Sequence, residues 1–447
     1  VDRRRYSARS WPSACSACPA ARERRASVGI ARDARAPAAF DGAFAVFAVF
    51  AVFAVFAVFA VFAVLVAFAV LAVRRPPPVF FALTDEQRAL AASVRELLAD
   101  RFDLSAVRAV FTDPAADGHP PDLWKAIGEQ GWLSVCVPVE HGGLGLGLLD
   151  AQVVAREFGA GVVPGPWAAT VLAGEAVRRC GGPEQAATVL GPLGAGDLVA
   201  TVALRGPGGG FGTDGVAVRA DEAGHLHGVA SGVEYAAIAR LLVVAAEGGA
   251  GIGLYLVDGG APGVVVEPRA GFDGTTRLAA LTFTGAPATR LPGSDAAAFA
   301  DLLRRGAVLA AADLVGVARV ALGRTVAYDR ERIQFGRPVG AFQALAHHLA
   351  DLHVAVTMAE HAVLYAAHAI DTDAPDADLA TAVAKSKANQ AAGDATAAMI
   401  QYHGGTGYTW EHDTHFFYKR AKRLIGAFGD TREHHARVAH LTVGPVR

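Results

Sequence analysis

Cysteine is scarce in this chain: Cys15, Cys18, Cys136 and Cys180 are the only four among 447 residues. That is too few for a disulfide framework and points to a reducing, cytoplasmic setting. Cys15 and Cys18 form a lone Cys-x-x-Cys pair. A structural zinc needs four ligands, and no second Cys or His pair lies nearby, so no metal site is expected. Cys136 and Cys180 stand far apart in apolar surroundings and read as small core residues. An excess of charge is missing too. The formal net charge is −2, which argues against a nucleic-acid partner, because phosphate binding needs a basic face.

What the chain has in plenty is apolar residues, 53% of the total, and much of the excess sits near the N-terminus. Residues 1–42 are rich in Arg, Ala and Ser without a helical or strand period. Ala-Val-Phe then repeats from Ala45 to Phe62, inside an uncharged stretch from Ala43 to Val73 that Arg74, Arg75 and Pro76 close. The stretch exceeds the roughly 20 residues a bilayer-spanning helix needs. Arginine on both flanks leaves its orientation undefined, and Val with Phe at every third position favours strand over helix. A secretory signal fits poorly, since the apolar run is too long and starts too late. The preferred reading is a translated nucleotide repeat upstream of the true start, with residues 1–82 a low-complexity leader outside the fold. Membrane association through residues 43–73 is the lesser reading. If expressed, the segment is an aggregation hazard.

The length exceeds what one ordinary core accommodates, so several domains are expected. Residues 83–196 read as helical: Thr84 caps a helix whose first turn holds Asp85 and Glu86, and Gly/Pro breaks punctuate apolar residues spaced three and four apart. Residues 197–294 read as a small antiparallel β domain. Short runs at Leu198–Leu204, Leu241–Ala246, Gly253–Val257, Val264–Val266 and Leu278–Phe283 are separated by Gly-rich turns. Residues 295–447 return to long helices: about Ala297 to Gln334, Phe342 to Ile370, Asp378 to Tyr402, His412 to Ile425, and one from Thr431. Gly404 and Gly405 stop the third. Long antiparallel helices with short loops make a four-helix-type bundle, so the fold class is α+β.

Three motifs follow one another in this frame. The first is Pro138-Val-Glu140-His-Gly142-Gly143-Leu-Gly145. The second is Arg332-Ile-Gln-Phe335-Gly336-Arg337 followed by Phe342-Gln343. The third is Gln401-Tyr-His-Gly404-Gly405-Thr-Gly407-Tyr, with Glu411 and Lys419-Arg-Ala-Lys422 beyond. Their order and spacing over the chain after residue 83 resemble the acyl-CoA dehydrogenase family. The resemblance implies a helical domain, a β domain and a helical bundle, with FAD as cofactor and an acyl-CoA as substrate. It also implies an electron-transfer flavoprotein as acceptor. The residue types suit a dinucleotide. Arg332 can make forked, charge-assisted contacts to a pyrophosphate. Gly404 and Gly405 let backbone N–H groups approach closely. Gln343 and Gln401 can hydrogen-bond the adenosine part, and Phe335 can pack on it. In the family these residues reach the ADP half of a flavin bound mainly by the neighbouring subunit, so at least a dimer is implied.

The departures from the family pattern are equally specific. The carboxylate that takes the α proton would stand at Phe428, or in some members at Gly306, and neither residue accepts a proton. Asp430 is the one displaced candidate base, although it also reads as the cap of a helix starting at Thr431. Glu411 matches a structural position, and His434 and His435 read as surface residues. The strand that would end in Glu-Pro-x-x-Gly-Ser-Asp reads Leu204-Arg205-Gly-Pro-Gly-Gly-Gly, and the Trp-x-Thr position reads Gly232-Val-Glu234. What remains serves a neighbour's cofactor, while the ring pocket and the base are lost. The expectation is the partner subunit of a heteromeric acyl-CoA dehydrogenase, a dimer or tetramer. The rivals are a self-sufficient homo-oligomer using Asp430 and a non-enzymatic scaffold. A related flavin oxidase or monooxygenase has no positive support. Small residues on the first bundle helix, among them Ala307, Ala310, Ala311 and Ala312, are compatible with a bulky acyl chain, even a steroid side chain.

Overall fold

The computed structural model describes residues 82–113 and 116–444. The Ala-Val-Phe repeat, the apolar stretch 43–73 and the Cys15–Cys18 pair lie outside the described residues. Six helices come first: α1 (Asp85–Arg101), α2 (Leu104–Thr112), α3 (Pro121–Glu129), α4 (Leu148–Gly161), α5 (Trp167–Cys180) and α6 (Pro183–Ala195). Their starts follow local chemistry. Thr84 and Gln87 form a reciprocal capping box on α1, Asp103 accepts the first amides of α2, and proline opens α3 and α6, where its missing N–H costs nothing. Cys136 and Cys180 are buried free thiols, as their apolar context requires.

The next segment is an eight-stranded sheet: β1 (Ala200–Ala203), β2 (Val218–Ala220), β3 (His225–Glu234), β4 (Leu241–Gly248), β5 (Gly251–Asp258), β6 (Val264–Arg269), β7 (Leu278–Pro287) and β8 (Thr289–Arg290). The order is β6-β7-β3-β2-β4-β5-β8, with β1 beside β4. All pairings are antiparallel except those of β1 and β2 with β4. Its own core is built on Val218, Leu226, Leu242, Val244, Leu281 and Phe283. A register shift lies between Ala230 and Val233 against β7, beside a cavity that Ser231 and Gly232 line. Such a bulge re-aims side chains, and here it turns Ser231 and Gly232 toward the helices.

The remainder is helical: α7 (Ala296–Glu331), a hairpin of β9 (Ile333–Gln334) and β10 (Arg337–Pro338), then α8 (Gln343–Asp371), α9 (Ala377–Tyr402), α10 (Thr414–Ile425) and α11 (Thr431–Val443). The central helix is α7, buried on every side from Arg305 to Ala318 and packed on α4, α8, α9 and α10. Two glycines permit this. A Cβ on Gly159 of α4 would lie 2.0 Å from the Asp313 carbonyl oxygen, and one on Gly316 of α7 would lie 1.9 Å from that of Arg156. The two backbones therefore touch, and any side chain at either position would force them apart. α7 is long and apolar enough to cross a membrane, but 83% of its most apolar window is buried in the protein, as in a core helix.

Candidate functional site

Among the cavities that border the long helices in the described residues, two gather the residues singled out by the sequence. The first lies where α4, α5, α7, the end of α10 and the bulge in β3 converge, and measures about 250 Å³. From α7 it takes Gly306, Leu309, Ala310 and Asp313, spaced three and four apart and so on one helical face. From the β domain come Leu204, Arg205, Phe211, Ser231, Gly232 and Glu234, and from the end of α10 and its following loop Arg420, Arg423 and Phe428.

Phe428 dominates this cavity. Its φ is +55°, a left-handed conformation that costs a bulky residue about 1–2 kcal/mol. The strained backbone throws the ring across the cavity onto Gly306. A Cβ at Gly306 would stand 2.2, 2.5 and 2.6 Å from three of its ring carbons. Phe211 stacks on the other side at 5.3 Å between centroids and 29° between planes. The Arg205 guanidinium covers Phe211 in turn, at 4.6 Å. One aromatic ring thus fills the space above both positions from which a carboxylate would reach a substrate.

The loop is clamped in place. The Phe428 carbonyl lies 2.9 Å from His434 Nε2. Lys385 Nζ donates to Gly429 O at 3.2 Å, and also to Asn389 Oδ1, Leu424 O and Ile425 O. Four oxygens surround an ammonium with three protons. His434, expected on the surface, turns inward instead because this carbonyl needs a partner. Burial pushes its pKa down.

Nor does the wall offer a free base. Asp313 accepts two hydrogen bonds from Arg420, at 2.6 and 3.2 Å, and Glu234 accepts one from Arg423 at 2.5 Å. Arg423 also holds Asp273 at 3.0 Å. Burial pushes the Asp273 carboxyl up, but Arg423 and Arg420 outweigh it and hold it below the usual carboxylate range. Asp430 lies outside the lining. Its Oδ1 accepts the Glu433 N–H at 2.8 Å, and Glu433 Oε2 accepts the Asp430 N–H at 2.7 Å. It is the N-cap of α11, half of a capping box.

The second cavity is an open cleft of about 580 Å³ where the end of α7, the β9–β10 hairpin, the start of α8 and the end of α9 meet. It gathers Arg332, Gln401, Gly404 and Gly405 from distant stretches of sequence. Gly404, at φ +62°, needs to be glycine for its backbone. Gly405 does not: its φ is ordinary and a Cβ there would meet nothing within 4 Å. The chain's own packing does not ask for glycine at 405, so the backbone there is open to the cleft. Phe335 and Gln343 are not in the lining. Phe335 is 91% exposed at the hairpin tip, where its φ of +51° and that of Gly336, +76°, make the tight turn of a two-residue hairpin. Gln343, the first residue of α8, is exposed beside it.

Sequence reasoning passed over Asp329. It lines the same cleft one helical turn before Arg332, is 1% exposed, and neither carboxyl oxygen has a hydrogen-bond partner among the described residues. Burial raises its pKa. The i, i+3 spacing to Arg332 was the available signal.

A flavin dinucleotide can be tried against both cavities. The open cleft fits an ADP half, with a free guanidinium on its rim, an unneeded glycine and an orphaned acceptor in its wall. The first cavity lacks the ring-holding groups that the family pattern would place there. The Arg205 guanidinium stands 3.2 Å from where a Cβ on Gly232 would be, across the position where the ring's aromatic partner would project.

Helical domain, curled sheet and bundle together define an acyl-CoA dehydrogenase fold, and sequence comparison agrees. Residues 84–197 match the acyl-CoA dehydrogenase N-terminal domain and residues 297–439 the acyl-CoA dehydrogenase C-terminal domain. The chain belongs to the acyl-CoA dehydrogenase family of oxidoreductases. It is similar to the acyl-CoA dehydrogenase IpdE2 of Mycolicibacterium smegmatis, with 33% identity over 352 residues, 78% of this chain and 97% of that protein. Among solved structures it resembles a chain of the ChsE4-ChsE5 complex from Mycobacterium tuberculosis, with a TM-score of 0.76, 26% identity, and coverage of 82% of this chain and all of that one. It also resembles a chain of a variant of the Tcur3481-Tcur3483 steroid ACAD, with a TM-score of 0.74, 30% identity, and coverage of 80% and 98%.

Proposed function

We propose that this chain is the non-catalytic partner in a heteromeric acyl-CoA dehydrogenase. It would lend a neighbouring, complete subunit the cleft for the ADP half of FAD. The observation that carries this reading is the Phe428 ring lying on Gly306: one side chain blocks both possible base positions while the open cleft keeps its polar groups unspent. When bound in the neighbour, FAD supplies the acceptor for the β hydride of the acyl-CoA thioester, and the neighbour's carboxylate takes the α proton. This chain's own part is binding. Arg332 offers a forked partner for the diphosphate, Gln401 offers amide hydrogen bonds to the adenosine, and Gly404 and Gly405 admit the dinucleotide to the backbone. Phe335, exposed at the hairpin tip, would reach toward the neighbour, with the exposed Gln343 at the start of α8 as a further contact.

Similarity to a chain of a two-component complex and to one described as a steroid ACAD supports a bulky acyl-CoA as substrate. An electron-transfer flavoprotein would carry the electrons away. The two buried free thiols suit a reducing cytoplasm.

The visible absorbance of the purified chain tests this. Alone, it is expected to be folded and colourless, and to gain a flavin band only on assembly with a complete family member. One FAD per chain in the isolated protein overturns the proposal in favour of a homo-oligomer with its own ring pocket.

A further inference from the structure

The open cleft holds two unspent polar groups of opposite character, one helical turn apart at the end of α7. The Arg332 side chain is exposed at the rim and makes no ion pair or hydrogen bond among the described residues. Asp329 is 1% exposed in the wall, and both of its carboxyl oxygens lack partners and accessible surface there. A buried carboxyl without a donor is unfavourable and rare in folded proteins. Neighbouring residues enforce it rather than relieve it. Gly340 packs so closely that a Cβ there would lie 3.4 Å from the Asp329 Cβ and 3.1 Å from its carbonyl oxygen. Tyr402, the nearby hydroxyl, is engaged with His348 Nδ1 at 2.5 Å. Tyr328 is stacked on His403 at 4.4 Å between centroids.

The occupant of such a cleft must bring an anion for the rim and a hydrogen-bond donor for the wall. A nucleoside diphosphate carries both. We propose that Asp329 is the specificity residue of this cleft, its carboxyl turning out of the wall to accept a hydrogen bond from the nucleoside end of a dinucleotide whose diphosphate lies on Arg332. The donor is either an exocyclic base amine or a ribose hydroxyl; each satisfies the orphaned oxygens in the same way. The inference rests on the reading that the cleft takes the ADP half of FAD, and names what selects it.

Calorimetric titration of the full chain with ADP, inosine diphosphate and 2′-deoxy-ADP tests it. The wild type is expected to bind ADP and to discriminate about tenfold against one analogue, the effect of one lost hydrogen bond to a charged group. Loss of the amine in inosine diphosphate and loss of the hydroxyl in 2′-deoxy-ADP distinguish the two donors. Asp329→Leu keeps the bulk, removes the acceptor, and is expected to abolish that discrimination while the melting temperature stays level or rises. Should that substitution impair folding, Asp329→Asn, of equal shape, is expected to weaken the same preference. If the Asp329 variants bind all three nucleotides as the wild type does while Arg332→Ala loses binding, Asp329 is idle and this inference alone falls. If the wild type binds none at millimolar concentration and matches Arg332→Ala, the cleft reading falls with it.

Discussion

Replacing Gly306 by alanine sets two effects of opposite sign against each other. Gly306 lies inside α7, and alanine in a helix interior is worth about 1 kcal/mol over glycine. On propensity alone the variant is stabilised. The added methyl, however, would arrive 2.2, 2.5 and 2.6 Å from three Phe428 ring carbons, far inside ordinary contact. The ring has little room to yield. Phe211 backs it at 5.3 Å, and hydrogen bonds to His434 and Lys385 hold the carbonyls on either side of the turn. Overpacking of this kind costs about 1–3 kcal/mol, and a clash with three atoms of a backed ring belongs at the upper end. The clash wins, and Gly306→Ala is expected to lose about 1–2 kcal/mol once the propensity gain is set against it.

Removing the ring should reverse the sign. In a Phe428→Ala background the methyl enters open space, and Gly306→Ala should then gain up to about 1 kcal/mol from propensity. The coupling energy of the cycle is therefore about 2–3 kcal/mol, far above the ~0.5 kcal/mol within which independent sites add. Urea denaturation of the four proteins measures it. If Gly306→Ala is as stable as the wild type and the cycle is additive, the ring does not occupy the space above Gly306. The two base positions are then not blocked by one ring.

Three further outcomes follow from named contacts. Asp430→Asn keeps an equally good cap but removes any base, so stability and turnover of the assembled enzyme should both be unchanged; a fall in turnover of about a hundredfold would restore Asp430 as the proton acceptor. Phe335→Asn places a residue that tolerates the left-handed turn at a position 91% exposed, so the isolated chain should stay within about 0.5 kcal/mol of wild type, while its affinity for the partner subunit falls at least about tenfold, as for an aromatic anchor; unchanged assembly by size-exclusion chromatography would remove the hairpin from the interface. Burial pushes Lys385 down to about 7 from 10.5, so the unfolded chain binds the extra proton between those values. The penalty is full below pH 7 and relieved as pH rises, giving a stability gain on the order of a few kcal/mol at ~1.4 kcal/mol per pKa unit. Urea melts from about pH 7 to about pH 10 should show this rise in the wild type and not in Lys385→Met.

The helices were legible because their signals are local. Caps such as Thr84 and Asp103, and proline at the first turn, act within a few residues. The end of α7 was placed a few residues late because Arg332 leaves the helix for extended backbone, at ψ 116°, to enter a hairpin only two residues wide. β3, one of the two longest strands, was missed altogether. Its sequence, His-Leu-His-Gly-Val-Ala-Ser-Gly-Val-Glu, carries two glycines and little β-branching, and pairing with β2 and β7 on either side forces it into the sheet. The cleft residues Arg332, Gln401, Gly404 and Gly405 were readable from motif and spacing, since each has a chemistry suited to a dinucleotide. Asp329 was not, because an aspartate near a helix end reads as solvated until burial shows that it is not.

The blocked cavity shows most clearly what sequence leaves out. Gly306 and Phe428 could each be recognised as a place where a carboxylate is missing, but as separate losses. In three dimensions they are one feature: the glycine makes room for the ring, and the ring makes any side chain at the glycine costly. A chain that had merely lost its base would have no need to hold a phenylalanine at φ +55° with Lys385 and His434 bracing the turn. Arg205, Phe211 and Phe428 stack on one another along one wall of the cavity. On the proposed reading, a copy of this chain would bring the same Phe428 ring over Gly306, whereas a complete family member would supply the ring pocket that matches the cleft holding Arg332 and Asp329.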